Sequence, residues 1–278
     1  MASSTYLLET KRLAVGEFRC PPDDPAWHET NFIGDEPHVV FPLTPVVIDQ
    51  VDKGRVLTTA NHTIFYDAGQ LYRRRLESEH GDHCVFVRLG PTLFERLAAD
   101  ALDDDKRLRT IHAPNDRHTY LQRHLLVRRL RAGAIDPRAA EDGALALVRA
   151  ALSRTRRAGR AGRDRTRAAH RELAEGTKAL IARSFPEPLP LDRLAAGMRT
   201  SAYHLSRVFR AETGFTVAAY QRSLRLRAAL ERLPTQAEGL TMLALELGFS
   251  SHSHFTETFR REFGVPPSAL RQEAPRGG

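Results

Sequence analysis

The chain of 278 residues carries 41% hydrophobic and 27% charged side chains and a formal net charge of +8. Its longest apolar runs are a few residues, as at Val46-Val47-Ile48, far short of the ~20 needed to cross a bilayer. No apolar stretch with a small-residue cleavage site follows Met1, and two cysteines, Cys20 and Cys84, cannot build a disulfide framework, so the expected location is cytoplasmic, without membrane contact.

The charge is unevenly placed. Residues 1–110 hold 13 basic and 18 acidic side chains, residues 111–172 hold 15 and 6, and residues 173–278 hold 14 and 10. An acidic first third joined to a basic remainder assigns a polyanionic partner to the second part. Only four basic residues are lysine, Lys11, Lys53, Lys106 and Lys178. Arginine forks suit phosphate and guanine, although a GC-rich genome produces the same excess.

In chain order, strand signals come first. Leu13–Phe18, Val39–Leu43, Val46–Val51, Arg55–Thr59, Thr63–Tyr66, Leu71–Leu76 and Val85–Leu89 are short apolar or alternating stretches. Turn signals such as Pro21-Pro22, Asp52-Lys53-Gly54, Asp67-Ala68-Gly69 and Gly81-Asp82 separate them, which predicts an antiparallel sandwich or barrel. Pro91 opens a change of period. Helices are predicted around Leu93–Ala98, Tyr120–Leu130 and Ala144–Leu152, with Gly133 and Asp136-Pro137 breaking the last two into a hairpin. The hairpin carries apolar residues on more than one face (Leu125, Leu126 and Leu130, then Leu145, Val148 and Leu152), which predicts a homodimer interface. Arg154 to Arg171 contains eight arginines and two glycines and is read as a solvated connector.

Beyond it lies a repeat. At an offset of 50 residues Ser201, His204, Phe209, Arg210, Glu212 and Gly214 match Ser251, His254, Phe259, Arg260, Glu262 and Gly264. Each unit reads as two helices and a tight turn. Leu191, Leu194, Ala195 and Met198 precede Leu205, Val208 and Phe209; Leu240, Leu243, Ala244 and Leu247 precede Phe255, Phe259 and Phe263. Ser201 and Ser251 stand at N-cap positions, and Gly248 supplies a turn. A longer helix, Val217 to Leu233, joins the units. A plain helical bundle would explain the apolar stripes but not the duplication.

These residues closely resemble the DNA-binding domain of the AraC/XylS family of transcription regulators. The resemblance runs from about Arg167 to Arg271 and includes Leu191–Ala195, Ser201–Phe209, Gly214, Tyr220, Arg225, Gly248-Phe249, Ser253-His254-Phe255, Phe259, Gly264 and Pro267–Arg271. It implies two helix–turn–helix units, about 191–212 and 240–263, whose second helices enter successive major grooves of double-stranded DNA. The outward positions then become DNA-binding candidates: Ser201, Ala202, Tyr203, Ser206, Arg207 and Arg210 in the first unit, Ser251, His252, Ser253, Thr256, Glu257 and Arg260 in the second. Arg207 can bind guanine through two hydrogen bonds, and Tyr203 can meet thymine methyls or phosphate. Glu257 departs from many relatives, which are basic there; it either accepts from cytosine or pairs with Arg260 or Arg261. His204 and His254 read as packing or phosphate contacts.

The strand-rich part resembles the cupin-like sensory barrel of the same family, on strand spacing and on element order. That implies a small-molecule effector in the barrel, dimerisation through the hairpin, and RNA polymerase as a further partner. The expected fold class is therefore α+β multidomain: residues 1–110 a cupin-like antiparallel barrel, 111–160 a dimerising helical hairpin and linker, 163–278 an all-α DNA-binding domain. His80, His83 and Cys84 have metal-ligand chemistry. The His-x-His, Glu and later His of metal-binding cupins are absent, however, and a loop histidine and a half-buried strand thiol explain these residues well, so no metal and no cofactor are expected. No catalytic residue is assigned. A cupin-type metal enzyme with a helical tail and an effector-independent regulator remain as alternatives.

Overall fold

The computed structural model describes residues 1–105, 107–155, 165–233 and 239–272, which fall into two units, Met1–Gly162 and Arg163–Gly278. In the first unit the strands are β1 (Ser3–Glu9), β2 (Leu13–Cys20), β3 (Asn31–Phe32), β4 (His38–Pro42), β5 (Val46–Gln50), β6 (Gly54–Thr58), β7 (His62–Tyr66), β8 (Leu71–Leu76), β9 (Asp82–Leu89) and β10 (His112–Pro114). All pairings are antiparallel, in a six-stranded sheet of order β1-β2-β9-β4-β7-β10 and a four-stranded sheet of order β3-β8-β5-β6. Among the described residues the ladders end at β1, β10, β3 and β6, so two open sheets stand where a barrel was expected. Strands β1, β3 and β10 carry no sequence signal. β1 is largely exposed and polar, and the other two are only two and three residues long.

Alternation along the six-stranded sheet builds two cores. Val39, Phe41, Phe65, Val85, Val87 and Leu89 point to one face, and Val40, Ile64, Tyr66, Cys84 and Phe86 to the other. The second face meets Val46, Ile48 and Val56 of the four-stranded sheet. The first is covered by helices α1 (Pro91–Ala98), α2 (Arg117–Arg131) and α3 (Pro137–Leu152). Strands buried on both sides show near-continuous apolar runs, which is why β7 and β9 read so clearly as strands. Asp116 caps α2 by accepting from the Thr119 N–H at 2.7 Å, and Asp136 caps α3 by accepting from the Arg138 and Ala139 N–H groups. Gly133 takes φ +60° in the turn between them.

This packing corrects the argument for a dimer interface. Leu126, Leu145, Val148 and Leu152 are buried in the same core as Val39, Phe41, Val85 and Val87. The hairpin thus spends these four side chains on the core of its own chain, while Leu125 and Leu130 stay half-buried.

The second unit holds α4 (Arg165–Ser184), α5 (Leu191–Gly197), α6 (Ala202–Thr213), α7 (Val217–Arg232), α8 (Leu240–Glu246), α9 (His252–Phe263) and α10 (Pro267–Gln272). The middle of the arginine-rich connector, residues 156–164, lies outside the described residues.

Candidate nucleic-acid interface

The duplication reappears in detail. Ser201 Oγ accepts from the His204 N–H at 3.2 Å, and Ser251 Oγ from the His254 N–H at 3.1 Å. At the other ends Gly214 and Gly264 take φ +77° and +81°, and their N–H groups donate to the Arg210 and Arg260 carbonyls. Helices α6 and α9 thus start and stop on equivalent residues. Their buried stripes are Leu205, Val208 and Phe209, and Phe255, Thr258, Phe259 and Phe263.

The opposite faces are open. Tyr203 is 78% exposed, and Arg207 and Arg210 are exposed beside it. Arg207 forms no ion pair or side-chain hydrogen bond among the described residues, so its five donors are available. Ala202 and Ser206 are half-buried on the flank. On α9, His252, Ser253, Glu257 and Arg260 are exposed and Thr256 is half-buried. Glu257 pairs with Arg261 at 3.6 Å, one helical turn on, with both side chains largely in solvent. His252 Nε2 lies 3.5 Å from Thr256 Oγ1. Ser201 and Ser251 use their hydroxyl oxygens as caps. His204 packs its ring against His170 of α4, while His254 stacks edge-on against Phe249, its Nδ1 3.0 Å from Ser250 Oγ.

The two turns differ. The first helices align at an offset of 49 (Leu194 with Leu243, Ala195 with Ala244), whereas the second helices align at 50. The second turn therefore has one more residue. The left-handed position is Arg199, φ +52°, in the first unit and Gly248, φ +77°, in the second. A Cβ on Gly248 would stand 1.9 Å from the Pro186 carbonyl oxygen, so glycine is needed there for space as well as for φ.

Sequence reasoning assigned no role to the residues that tie these elements together. Arg225 of α7 donates through Nη1 to the Gly248 carbonyl at 2.7 Å, through Nε to Phe185 at 2.6 Å, and through Nη2 to Pro186 and Glu187 at 3.2 and 2.9 Å. Gln221, one turn earlier, donates to the Phe185 and Glu187 carbonyls. These two side chains neighbour the apolar stripe of Tyr220 and Leu224. A polar i, i+4 pair beside a buried stripe was the available signal, and nothing in the sequence said which carbonyls it would meet.

The metal-ligand candidates are not brought together. His83 and Cys84 are consecutive on β9 and point to opposite faces. His83 Nε2 lies 3.7 Å from Glu17 Oε1, Cys84 is in the core between the sheets, and His80 is on an exposed turn. Burial pushes the Cys84 thiol well above its ordinary pKa, which keeps it protonated and inert.

Comparison with known proteins gives a family match within this unit. A helix-turn-helix domain family matches residues 194–273. The multiple antibiotic resistance protein MarA of Escherichia coli (strain K12) is 32% identical over 94 residues, covering 34% of this chain and 74% of MarA. The transcriptional regulator Rob of Salmonella typhimurium is 34% identical over 88 residues, 32% of this chain and 30% of Rob. The crystal structure of a transcriptional regulator of the AraC-type DNA-binding domain-containing proteins from Chromobacterium violaceum is 28% identical, covers 40% of this chain and 99% of its own, and superposes with a TM-score of 0.36.

Proposed function

The chain belongs to the AraC/XylS family of DNA-binding transcription regulators, and on that premise we propose that α6 and α9 are its reading helices. The observation that carries this is the pair of identically capped helices, each turning a polar face outward, with Tyr203 and Arg207 free on the first. Arg207, with Tyr203 one turn before it, is the main base reader, and α9 makes the weaker contact because Glu257 repels phosphate. Ala202, Ser206, Arg210, His252, Ser253, Thr256 and Arg260 flank these readers, and Ser201 and Ser251 offer their capped helix starts to the backbone.

Residues 163–278 form the DNA-binding domain in this reading. Residues 1–110 and the hairpin within 111–160 form a cupin-like sensory part that answers a small-molecule effector, supported by a cavity between the two sheets. The protein acts in the cytoplasm, as a regulator rather than an enzyme, and reaches RNA polymerase from its promoter. It pairs with a second copy through surface other than the hairpin core; exposed apolar side chains of the strands and their turns include Phe32, Val51 and Leu71.

Genome-wide mapping of bound DNA followed by footprinting on one site tests this. Two protected segments about 10 bp apart per DNA-binding domain are expected, because two tandem units must enter successive grooves. Arg207→Ala should cost ~1–3 kcal/mol at that site and relax preference at one base pair. Equal loss on every sequence would show that Arg207 meets phosphate alone, and a single short protected segment would remove α9 from the interface.

A further inference from the structure

Between the two sheets lies a cavity of about 220 Å³. Its walls include Phe18, Val40, Ile48, Ile64, Tyr72 and Phe86. Tyr6 and Phe32, on β1 and β3, also line it, yet they are 46% and 58% exposed, so they mark its mouth. The Phe86 ring of the wall lies over Gly16 of β2, where a Cβ would stand 2.4 Å from the ring.

Polar groups are few. The Tyr66 and Tyr72 rings lie 4.9 Å apart, and neither hydroxyl makes a hydrogen bond among the described residues. Burial raises the pKa of both, that of Tyr72 to about 12, so both are O–H donors. His38 stands directly opposite Tyr66 in the β4–β7 register, and directly opposite residues share a face. Its Nδ1 is 2.9 Å from the Glu36 carbonyl oxygen, which can only accept. The proton is therefore on Nδ1, and Nε2 carries the lone pair. Burial holds the imidazole below its ordinary pKa and so neutral at pH 7.

The charged groups are already matched. Arg74 pairs with Asp82 at 3.4 Å, donates to Asn31 Oδ1 at 2.7 Å and lies against the Phe18, Trp27 and Tyr72 rings. At the mouth Arg88 pairs with Glu9 and Glu36 and covers the Tyr6 ring. A charged ligand would enter without a counter-ion, at a large desolvation cost. The volume lies below the ~300–1,000 Å³ of drug-sized sites, which suits a single ring.

Resting on the sensory reading above, we infer that this cavity binds an uncharged monocyclic compound bearing a hydroxyl group. The ring packs among Phe18, Tyr72 and Phe86. The hydroxyl accepts from a tyrosine O–H and donates to His38 Nε2.

The full chain has one tryptophan, Trp27, against Arg74 and the core between the sheets, and its fluorescence reports on occupancy. Phenol and 4-methylphenol at millimolar concentration should change it saturably and raise the melting temperature, while benzoate and benzylamine should do neither. Tyr66→Phe and Tyr72→Phe remove only hydroxyls and keep the fold; at least one should weaken phenol binding roughly 3- to 10-fold. Benzoate or benzylamine binding as tightly as phenol, no response to either phenol, or full affinity in both variants would overturn the inference. The sensory reading is tested apart from this, by DNA affinity with and without the bound phenol. An unchanged affinity would end that reading and leave the ligand class standing, whereas no binding of either phenol together with an effector response in cells would do the reverse.

Discussion

The Arg225 guanidinium on α7 and the Gly248 carbonyl in the second turn meet at 2.7 Å, and the same guanidinium holds the three carbonyls that follow α4. One side chain on the linking helix thus fastens the lead-in to the first helix–turn–helix unit to the turn of the second. Arginine suits this, because its planar fork serves several acceptors at once. Removing it with Arg225→Met should destabilise the chain by ~1–3 kcal/mol, since the carbonyls lose a charged donor. It should also lower DNA affinity while Tyr203 and Arg207 stay intact. Chemical denaturation and binding to one mapped site check both. Unchanged stability would show that water replaces the clamp.

Gly248, Gly214 and Gly264 all have positive φ, but only at Gly248 would a Cβ strike backbone, the Pro186 carbonyl oxygen. Gly214→Ala and Gly264→Ala should each cost about 1–2 kcal/mol, the penalty of left-handed backbone with a side chain. Gly248→Ala should cost clearly more and should disturb DNA binding as well. Three denaturation curves decide this, and equal costs would mean that the Pro186 segment yields freely.

Glu257 pairs with Arg261 in solvent, and exposed pairs of this kind contribute ~0–1 kcal/mol. Glu257→Gln should therefore leave the melting temperature nearly unchanged. It should tighten DNA binding several-fold on all sequences, because an acid is removed from a phosphate-facing helix. A loss of affinity confined to one base pair would instead assign Glu257 to a cytosine.

Glu17 on β2 ties the sheet to the hairpin by accepting from Arg131 of α2. Burial raises its pKa, but hydrogen bonding and charge from His83 and Arg131 outweigh this and hold it at about 2, from an ordinary 4.5. A depressed carboxyl contributes stability that is complete above its unfolded pKa and is lost as pH falls through the folded one. The melting-temperature gap between the wild-type chain and Glu17→Gln should thus be constant above pH ~5 and shrink between about pH 4.5 and pH 2. A gap that does not change over that window would detach Glu17 from the acid sensitivity.

Local chemistry made much of this protein legible in the residues alone. The repeat, the serine caps, Gly248 and the outward places of Tyr203 and Arg207 follow from helical period and capping, which depend on neighbours within a few positions. The alternation of β4, β7 and β9 and the break at Gly133 and Asp136-Pro137 are equally local. Tertiary structure alone decided the rest. The apolar residues of α2 and α3 would look the same in the sequence whether a second chain or the chain's own sheet covered them, and only the tertiary structure puts Leu126 and Val148 in one core with Val39 and Val87. Arg225 reaches carbonyls about 40 positions earlier and 23 later. The cavity of His38, Tyr66 and Tyr72 exists only where two sheets face each other, because burial, free hydroxyls and matched charges are properties of juxtaposition, which no stretch of sequence carries by itself.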